Sequence, residues 1–228
     1  MGGDGRRKVK KINFCFLVLS IFLSLGIFSC ANPQRSSAKQ IILVRDKGIQ
    51  ASLECWEKVG KRWHRVFESI PAVVGRNGLA AEGEKQEGDG RTPTGIFKLR
   101  RAFGYLPSVE TGLKYTQVTE NDFWVDDPGS LQYNQWVKGI PKAKSFEKLR
   151  RDDDLYKYAI VIEYNTDPIV PWKGSAIFLH VWRDDKTPTA GCLAVSEENL
   201  VKLLMWLKVD NKPIIILTKK ENRDEKNH

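Results

Sequence analysis

Two apolar segments in the C-terminal half of the chain constrain its fold most. They are residues 158–165 (YAIVIEYN) and 174–182 (GSAIFLHVW). Both are rich in β-branched and aromatic residues and nearly free of charge, which is typical of central strands in a sheet. We therefore predict a sheet built around these two strands, with His180 near the end of the second and Cys192 in the Ala190-Gly191-Cys192 turn that follows.

Other strands are predicted on both sides of this pair. Residues 41–46 (IILVRD) and 51–59 (ASLECWEKV) predict two strands around a turn, because apolar and polar side chains alternate along the second. Residues 62–70 (RWHRVFESI) continue this pattern as the third strand of a β-meander. Residues 213–218 (PIIILT) predict a final strand that completes the core.

One helix is predicted after the Cys192 turn. Ser196 matches an N-cap, two glutamates follow it, and leucines recur at helical spacing at positions 200, 203, 204 and 207. The chain also contains 18 glycines and 10 prolines, which favour a turn-rich fold over a helical bundle. The predicted fold is mainly β, a curved sheet or sandwich with one helix after the cysteine.

The middle of the chain is less regular. Glycines are dense within residues 72–97, where a stiff turn (GDGRTPTG) leads into a strand (IFKLRRAF). Residues 104–154 contain Trp124, Tyr133 and Trp136. These aromatic side chains either form a secondary core beneath a long insertion or line a groove for an extended ligand.

The positive charge of the chain does not indicate nucleic-acid binding. The net charge is +9, but the first 30 residues hold five basic residues and one acidic residue, so the remaining chain has a net charge of +5. That charge is spread over mixed runs such as RRDDD (150–154) and forms no continuous basic stripe. We therefore expect no nucleic-acid partner.

The N-terminus has the pattern of an export signal. Five basic residues precede an uncharged, mostly apolar stretch at residues 12–29, which Cys30 follows. Residues 27–30 (IFSC) resemble a bacterial lipoprotein signal, in which the cysteine is lipidated. A cleaved signal and an uncleaved membrane anchor are the alternatives, since about 20 apolar residues span a bilayer. Each of the three predicts a signal segment at 1–30, a tether at 31–39 and a domain located outside the cytoplasmic membrane. In two of the three cases an N-terminal anchor or a lipid attaches the domain to the membrane.

Cys192 and His180 are candidates for a nucleophile and its base. A thiol attacks a carbonyl as the thiolate, and an imidazole can take the proton and later return it. Gly191 allows a sharp turn before Cys192, so neighbouring N–H groups could stabilise an oxyanion. An inert, buried cysteine is the alternative. We predict no metal site, because no further His or Cys ligand lies nearby, and no organic cofactor.

Two other residues are assigned structural roles. Cys55 has β-typed, apolar neighbours and is interpreted as a small core residue. A Cys55–Cys192 disulfide is conceivable in an oxidising compartment, but it would consume the proposed nucleophile. His64, in the third predicted strand, is interpreted as a surface or partly packed side chain.

Four ordered blocks together resemble the L,D-transpeptidase (YkuD-like) catalytic family, in its stand-alone exported branch. They are KQEGDGRTPTGIF, FWVDDPGSLQYN, GSAIFLHVW and TPTAGCLAVS, and the resemblance covers about residues 40–218, leaving a charged tail at 219–228. It implies that Cys192 is the nucleophile and that His180 is the proton donor and acceptor. It also implies peptidoglycan stem peptides as substrate, release of D-alanine, and a cross-link between two diamino acid residues.

The acceptor and the substrate-binding residues are less defined by the resemblance. The commoner family motif has a histidine where this chain has Ala190 and a polar residue soon after the cysteine, where this chain has Leu193 and Ala194. We predict that Arg183, Lys186 or Lys85 binds stem carboxylates and that Trp124 or Trp182 lines the groove. Water as acceptor would give a carboxypeptidase or hydrolase, and loss of catalysis would leave a peptidoglycan-binding envelope module.

Overall fold

The computed structural model describes residues 37–219. The predicted signal segment, Cys30, most of the tether and the tail beyond Lys219 lie outside the described residues. Within the described range, no helix is both long and apolar enough to cross a membrane.

The fold is mainly β, as predicted. The strands are β1 Gln40–Lys47, β2 Gln50–Val59, β3 Arg62–Arg65, β4 Ile70–Val73, β5 Gly95–Gly104, β6 Lys114–Gln117, β7 Asp122–Val125, β8 Trp136–Lys138, β9 Phe146–Lys148, β10 Tyr158–Ile162, β11 Phe178–Val181, β12 Leu193–Val195 and β13 Ile214–Thr218. Short 3₁₀ turns span Asp154–Tyr156 and Val209–Asn211.

The main sheet is closed. Its strands run in the order β1, β13, β5, β10, β11, β12, β4 and β2, and β2 returns to pair with β1. Strand β3 extends from β2 and β6 from β5. Closure removes most of the free strand edges that an open sheet would expose. Strands β8, β7 and β9 form a separate three-stranded sheet.

The predicted third strand is divided in two. Both β3 and β4 pair with β2, through Trp56–Arg65 and Leu53–Ile70 respectively. The chain advances three residues along β2 between these two pairs, but five residues from Arg65 to Ile70. The two extra residues between β3 and β4 form a bend. Such an insertion curves the strand, and it lets β4 continue to β12, where Val73 pairs with Ala194.

The predicted helix is confirmed. Helix α1 spans Glu197–Trp206, and the Ser196 side chain accepts a hydrogen bond from the Asn199 N–H at 3.3 Å. Its leucines are buried in the larger hydrophobic cluster, together with Leu179 and Leu193 of the central strands. The helix therefore covers one face of the sheet at β10 and β11.

The opposite face of the same strands belongs to a second, aromatic cluster. Side chains alternate along a strand, so Phe178 and His180 point away from the helix face that holds Leu179. Phe178 lies in this cluster with Cys192, Phe103 and Tyr156. The small sheet covers it, because the Trp124 ring lies 5.1 Å from the Phe178 ring. Cys192 and His180 thus share the face beneath the small sheet.

The glycine-rich segment packs directly against the chain that leads to Cys192. Arg76 N–H donates to the Thr189 carbonyl, and Thr189 N–H donates to the Val74 carbonyl, both at 2.9 Å. A Cβ added at Gly75 would lie 2.3 Å from the Gly90 carbonyl oxygen. The segment is ordered because two backbones meet at a distance that only glycine permits.

We expect Gly75→Ala to lower the free energy of unfolding by about 3 kcal/mol, because backbone on both sides must move to admit the methyl group. Urea denaturation measures this loss. Gly129→Ala is the matched control: its Cβ would meet only Asp127 Oδ1 at 3.4 Å, so a change within about 0.5 kcal/mol is expected. Equal losses in both variants would contradict the close approach at Gly75.

Candidate active site

The Cys192 turn is fixed by two threonine hydroxyls. Thr92 Oγ1 donates to the Cys192 carbonyl at 2.9 Å, and Thr189 Oγ1 donates to it at 2.6 Å. Gly191, directly before Cys192, has φ +154°, and a Cβ there would lie 3.1 Å from the Arg91 carbonyl oxygen. The predicted sharp turn is therefore present and held from both sides.

Both threonines belong to Thr-Pro-Thr tripeptides, at residues 92–94 and 187–189. Sequence reasoning did not assign them a role. The repeated tripeptide was the available signal, but only the folded chain shows that Thr92 and Thr189 bind the same carbonyl.

We expect Thr92→Val to cost about 3 kcal/mol of stability. The Thr92 hydroxyl also accepts the Gly75 N–H at 2.8 Å and is fully buried, so valine would leave a buried donor and weaken the hold on a buried acceptor. Chemical denaturation measures the loss. Thr187→Val is the control, because the Thr187 hydroxyl bonds to Asp184 at an exposed position. A Thr92→Val variant as stable as this control would contradict the proposed bridge.

The Cys192 thiol is buried and satisfied by backbone groups. Its S–H donates to the Ala176 carbonyl at 3.2 Å, and its sulfur accepts the Phe178 N–H at 3.4 Å. Burial, followed by the nearby Glu147 carboxylate, raises the pKa of the thiol to about 12. Cys192 and Cys55 are both free cysteines. The resting form of Cys192 is therefore the neutral thiol.

His180 is held in one tautomer. Its Nδ1 lies 2.8 Å from the Val181 carbonyl oxygen, and a carbonyl only accepts, so the proton is on Nδ1 and Nε2 is free to accept. Burial lowers the pKa of the imidazole to about 4. His180 is thus a neutral base at physiological pH.

The sheet brings the base and the thiol to one face. Strands β11 and β12 are parallel, with Leu179 opposite Leu193 and His180 opposite Ala194. Cys192 therefore lies beside Phe178, which precedes His180 by two residues and is on the same face of the sheet. The thiol and the imidazole, both neutral at rest, therefore lie on the same face of neighbouring strands.

The kink that presents the Ala176 carbonyl depends on Asn134. Ala176 has φ 52° and Asn134 has φ 54°. Asn134 Oδ1 accepts the Ala176 N–H at 3.1 Å and the Trp124 Nε1–H at 2.9 Å. Asn134 thereby links the small sheet to the thiol, although sequence reasoning singled out only its neighbour Tyr133.

A half-buried carboxylate network extends from the same kink. Glu87 accepts hydrogen bonds from Tyr133 at 2.5 Å and from Ser175 at 2.7 Å. Burial raises the pKa of the nearby Asp126, and the Glu87 charge raises it further. A cleft of about 350 Å³ opens beside Glu87, lined by Gln86, Trp172 and Lys173. It lies close in sequence and space to Ser175, the residue before Ala176.

The predicted substrate-binding residues are dispersed. Lys85 is 5% exposed and its ammonium binds Asp89 at 2.8 Å, so it is paired inside the protein. Trp124 is 1% exposed and lies in the aromatic core rather than along an open groove. Trp182, which follows β11, is half-buried, whereas Arg183 and Lys186 are exposed on the loop between His180 and Cys192.

No metal-binding cluster of three or more His, Cys, Asp or Glu side chains occurs within residues 37–219.

The closed β-sheet thus places a cysteine and a histidine on one covered face. The L,D-transpeptidase catalytic domain model, YkuD, matches residues 41–216, so the chain belongs to this family.

Solved structures give a more distant comparison. The chain is similar to the helical cell shape determining protein Pgp2 of Campylobacter jejuni, with 17% identity and a TM-score of 0.44, over 82% of this chain and 49% of that one. It is also similar to Bd1075 of Bdellovibrio bacteriovorus, with 18% identity and a TM-score of 0.43, over 81% and 49%. The chain thus spans about half the length of these proteins. No curated protein matches it.

Proposed function

We propose that this protein is a peptidoglycan L,D-transpeptidase that acts through a thioester on Cys192. Family membership supports the substrate class. The single observation that carries the proposal is the His180 tautomer: Val181 holds the proton on Nδ1, which leaves a free Nε2 on the face that bears Cys192.

In the proposed first step, the Cys192 S–H proton passes to His180 Nε2 while the sulfur attacks the carbonyl at the L-centre of the diamino acid in a stem tetrapeptide. The C–N bond to D-alanine then breaks, and the leaving amine takes the proton from His180. The Gly191 N–H donates to Thr189 Oγ1 at 3.1 Å, so the other backbone N–H groups of the Cys192 turn are the proposed donors to the oxyanion. A thioester and free D-alanine result.

In the second step, an amine of another stem attacks the thioester carbonyl and gives its proton to His180. The C–S bond breaks, and Cys192 regains the proton. The product is a cross-link between two diamino acid residues. Arg183 and Lys186 are exposed on the loop between the two catalytic positions and are the proposed partners of stem carboxylates.

The proposed location of the protein is the cell envelope. The basic and apolar sequence of residues 1–30 supports export, and Cys30 is the proposed lipidation site. Membrane fractionation of the wild type and Cys30→Ala tests this. A wild-type protein in the membrane fraction and a variant released from it support lipidation, membrane retention of both indicates an uncleaved anchor, and a wild type in the soluble fraction contradicts both forms of anchoring.

Product analysis tests the enzymatic proposal. The purified full-length chain is incubated with a stem tetrapeptide, and D-alanine and cross-linked dimer are measured by mass spectrometry. Both products together are expected. D-alanine without dimer would identify a hydrolase. Neither product, from protein shown by circular dichroism to be folded, would contradict catalysis and favour a binding module.

A further inference from the structure

The aromatic cluster contains a second polar pair that the proposed mechanism does not use. Tyr156, in the 3₁₀ turn before β10, is 5% exposed, and its hydroxyl donates to Glu147 Oε2 at 2.6 Å. Glu147 lies on β9 of the small sheet. The bond therefore joins the sheet that covers the site to the strand layer that carries it.

Tyr156 packs directly against His180 and, through Phe178, supports Cys192. Its ring packs edge-on against the His180 imidazole, with centroids 5.2 Å apart and planes at 73°. It packs in the same manner against Phe178 at 5.6 Å, and the Phe178 N–H is the group that donates to the Cys192 sulfur. The ring thus fixes the orientation of the base and supports the strand that binds the thiol.

Tyr156 and Cys192 lie in the same buried cluster, and in this structure the hydroxyl donates to Glu147. A hydrogen bond from Tyr156 to the sulfur acts to lower the pKa of the Cys192 thiol. The Glu147 charge acts in the opposite sense and raises it. A phenol has one proton to donate, so a gain of negative charge on sulfur favours transfer of that hydrogen bond from the carboxylate to the thiolate.

We propose that Tyr156 is a positioning residue of the Cys192–His180 site, anchored by Glu147 while Cys192 is a thiol and donating to the sulfur once His180 has taken the thiol proton. The phenol keeps its own proton throughout. The catalytic importance of this role rests on the proposed function, whereas the hydrogen bond to sulfur can be measured without any substrate.

Other charges face these groups and must stay constant in the test. Lys85 lowers the pKa of the Cys192 thiol, and Arg151 stacks on the Tyr156 ring at 5.1 Å. Burial raises the pKa of Glu147 and the charges of Asp126 and Glu87 raise it further, whereas the Tyr156 hydrogen bond and Arg151 lower it. Arg151 and Asp153 also act on His180. None of these side chains is changed in the variants below.

The test compares Glu147→Gln with the double variant Glu147→Gln/Tyr156→Phe. Glutamine leaves no charge that could respond to loss of the phenol, so the difference between the two reports the hydroxyl alone. The readout is the rate of iodoacetamide alkylation at Cys192 between pH 7 and 10, in the full chain, with the Cys192 peptide quantified by mass spectrometry. Tyr115→Phe, whose hydroxyl binds the Leu106 carbonyl outside this site, is the control.

We expect Glu147→Gln to be alkylated several-fold faster than the wild type, because a carboxylate that disfavours the thiolate is gone. The double variant should react about tenfold more slowly than Glu147→Gln at each pH, because it lacks the hydroxyl that would donate a hydrogen bond to the charged sulfur. Tyr115→Phe should match the wild type. Equal rates for Glu147→Gln and the double variant would overturn the proposal.

A second comparison applies if the double variant does not fold. Glu147→Gln should then still react faster than the wild type, and an unchanged rate would overturn the anchoring role of Glu147. Because alkylation needs no substrate, these outcomes differ from failure of the proposed function, which would appear as absence of D-alanine release by the wild-type protein.

Discussion

Replacing Cys192 with alanine is expected to reduce D-alanine release from a stem tetrapeptide by on the order of 10⁴-fold or more. The variant removes the sulfur that we propose forms the thioester, and within residues 37–219 no other thiol lies in the aromatic cluster that surrounds it. Release measured under substrate saturation checks this, since the loss should fall on kcat. The fold should persist because alanine is smaller and apolar.

Cys55→Ala is the matched control. Cys55 is fully buried in the larger hydrophobic cluster, on the helix side of the sheet, and burial raises the pKa of its thiol to about 12. Its loss should lower stability modestly and leave release nearly unchanged. Activity retained by Cys192→Ala, or lost equally in both variants, would contradict the assignment of the nucleophile.

Replacing His180 with glutamine is expected to lower kcat by about 10²- to 10⁴-fold, the usual contribution of a positioned general base. Glutamine retains an N–H that can reach a carbonyl but cannot take the thiol proton. The same substitution should change the response of the protein to acid, which provides a readout independent of substrate.

The acid response follows from the buried imidazole. Its pKa falls from 6.5 to about 4 on folding, so between these values the unfolded chain binds a proton that the folded chain does not. Stability contributed by neutral His180 is therefore complete above pH 6.5 and lost as the pH falls toward 4, by about 3 kcal/mol. Urea denaturation of the wild type at pH 7 and pH 4 measures the loss.

Comparison with two variants isolates the histidine. The loss between pH 7 and pH 4 should be about 3 kcal/mol smaller in His180→Gln than in the wild type, because the carboxylates are the same in both. His64→Gln should behave as the wild type, since His64 lies on exposed strand β3. An identical acid response in all three proteins would contradict a buried, neutral His180.

Local pattern was sufficient to predict the strands and the helix around the site. Alternation along β2, the apolar runs of β10 and β11, and the leucine spacing of α1 each depend on neighbours within about ten residues. The turn at Gly191 followed from its sequence in the same way. The positions of His180 and Cys192 relative to the sheet were therefore accessible before the structure.

Contacts between distant segments were not accessible in this way. Closure of the sheet requires β1 to pair with both β2 and β13, and Thr92 reaches Cys192 across 100 residues. Asn134 and Glu147 lie in the irregular region 104–154, where no periodicity indicates which side chains point inward. Trp124 was open to two interpretations for the same reason, and burial decides between them.

The resting protonation states of Cys192 and His180 could also be inferred only from the structure. A cysteine near a histidine in sequence suggests an ion pair, but burial raises the pKa of the thiol and lowers that of the imidazole. Both shifts favour the neutral pair. We therefore expect proton transfer to accompany attack on the substrate carbonyl rather than precede it, and free Cys192 to react slowly with alkylating agents at neutral pH.

The central claim is that Cys192 carries the acyl group of the donor stem. Acid quenching of the full-length protein during turnover of a stem tetrapeptide, followed by proteolysis and mass spectrometry, tests it directly. The predicted result is a hydroxylamine-sensitive adduct on the Cys192 peptide, with the mass of the stem tripeptide acyl group and accompanied by an equal amount of D-alanine. Release of D-alanine from a protein whose Cys192 peptide stays unmodified at every quench time, while Cys192→Ala releases it at the wild-type rate, would contradict it.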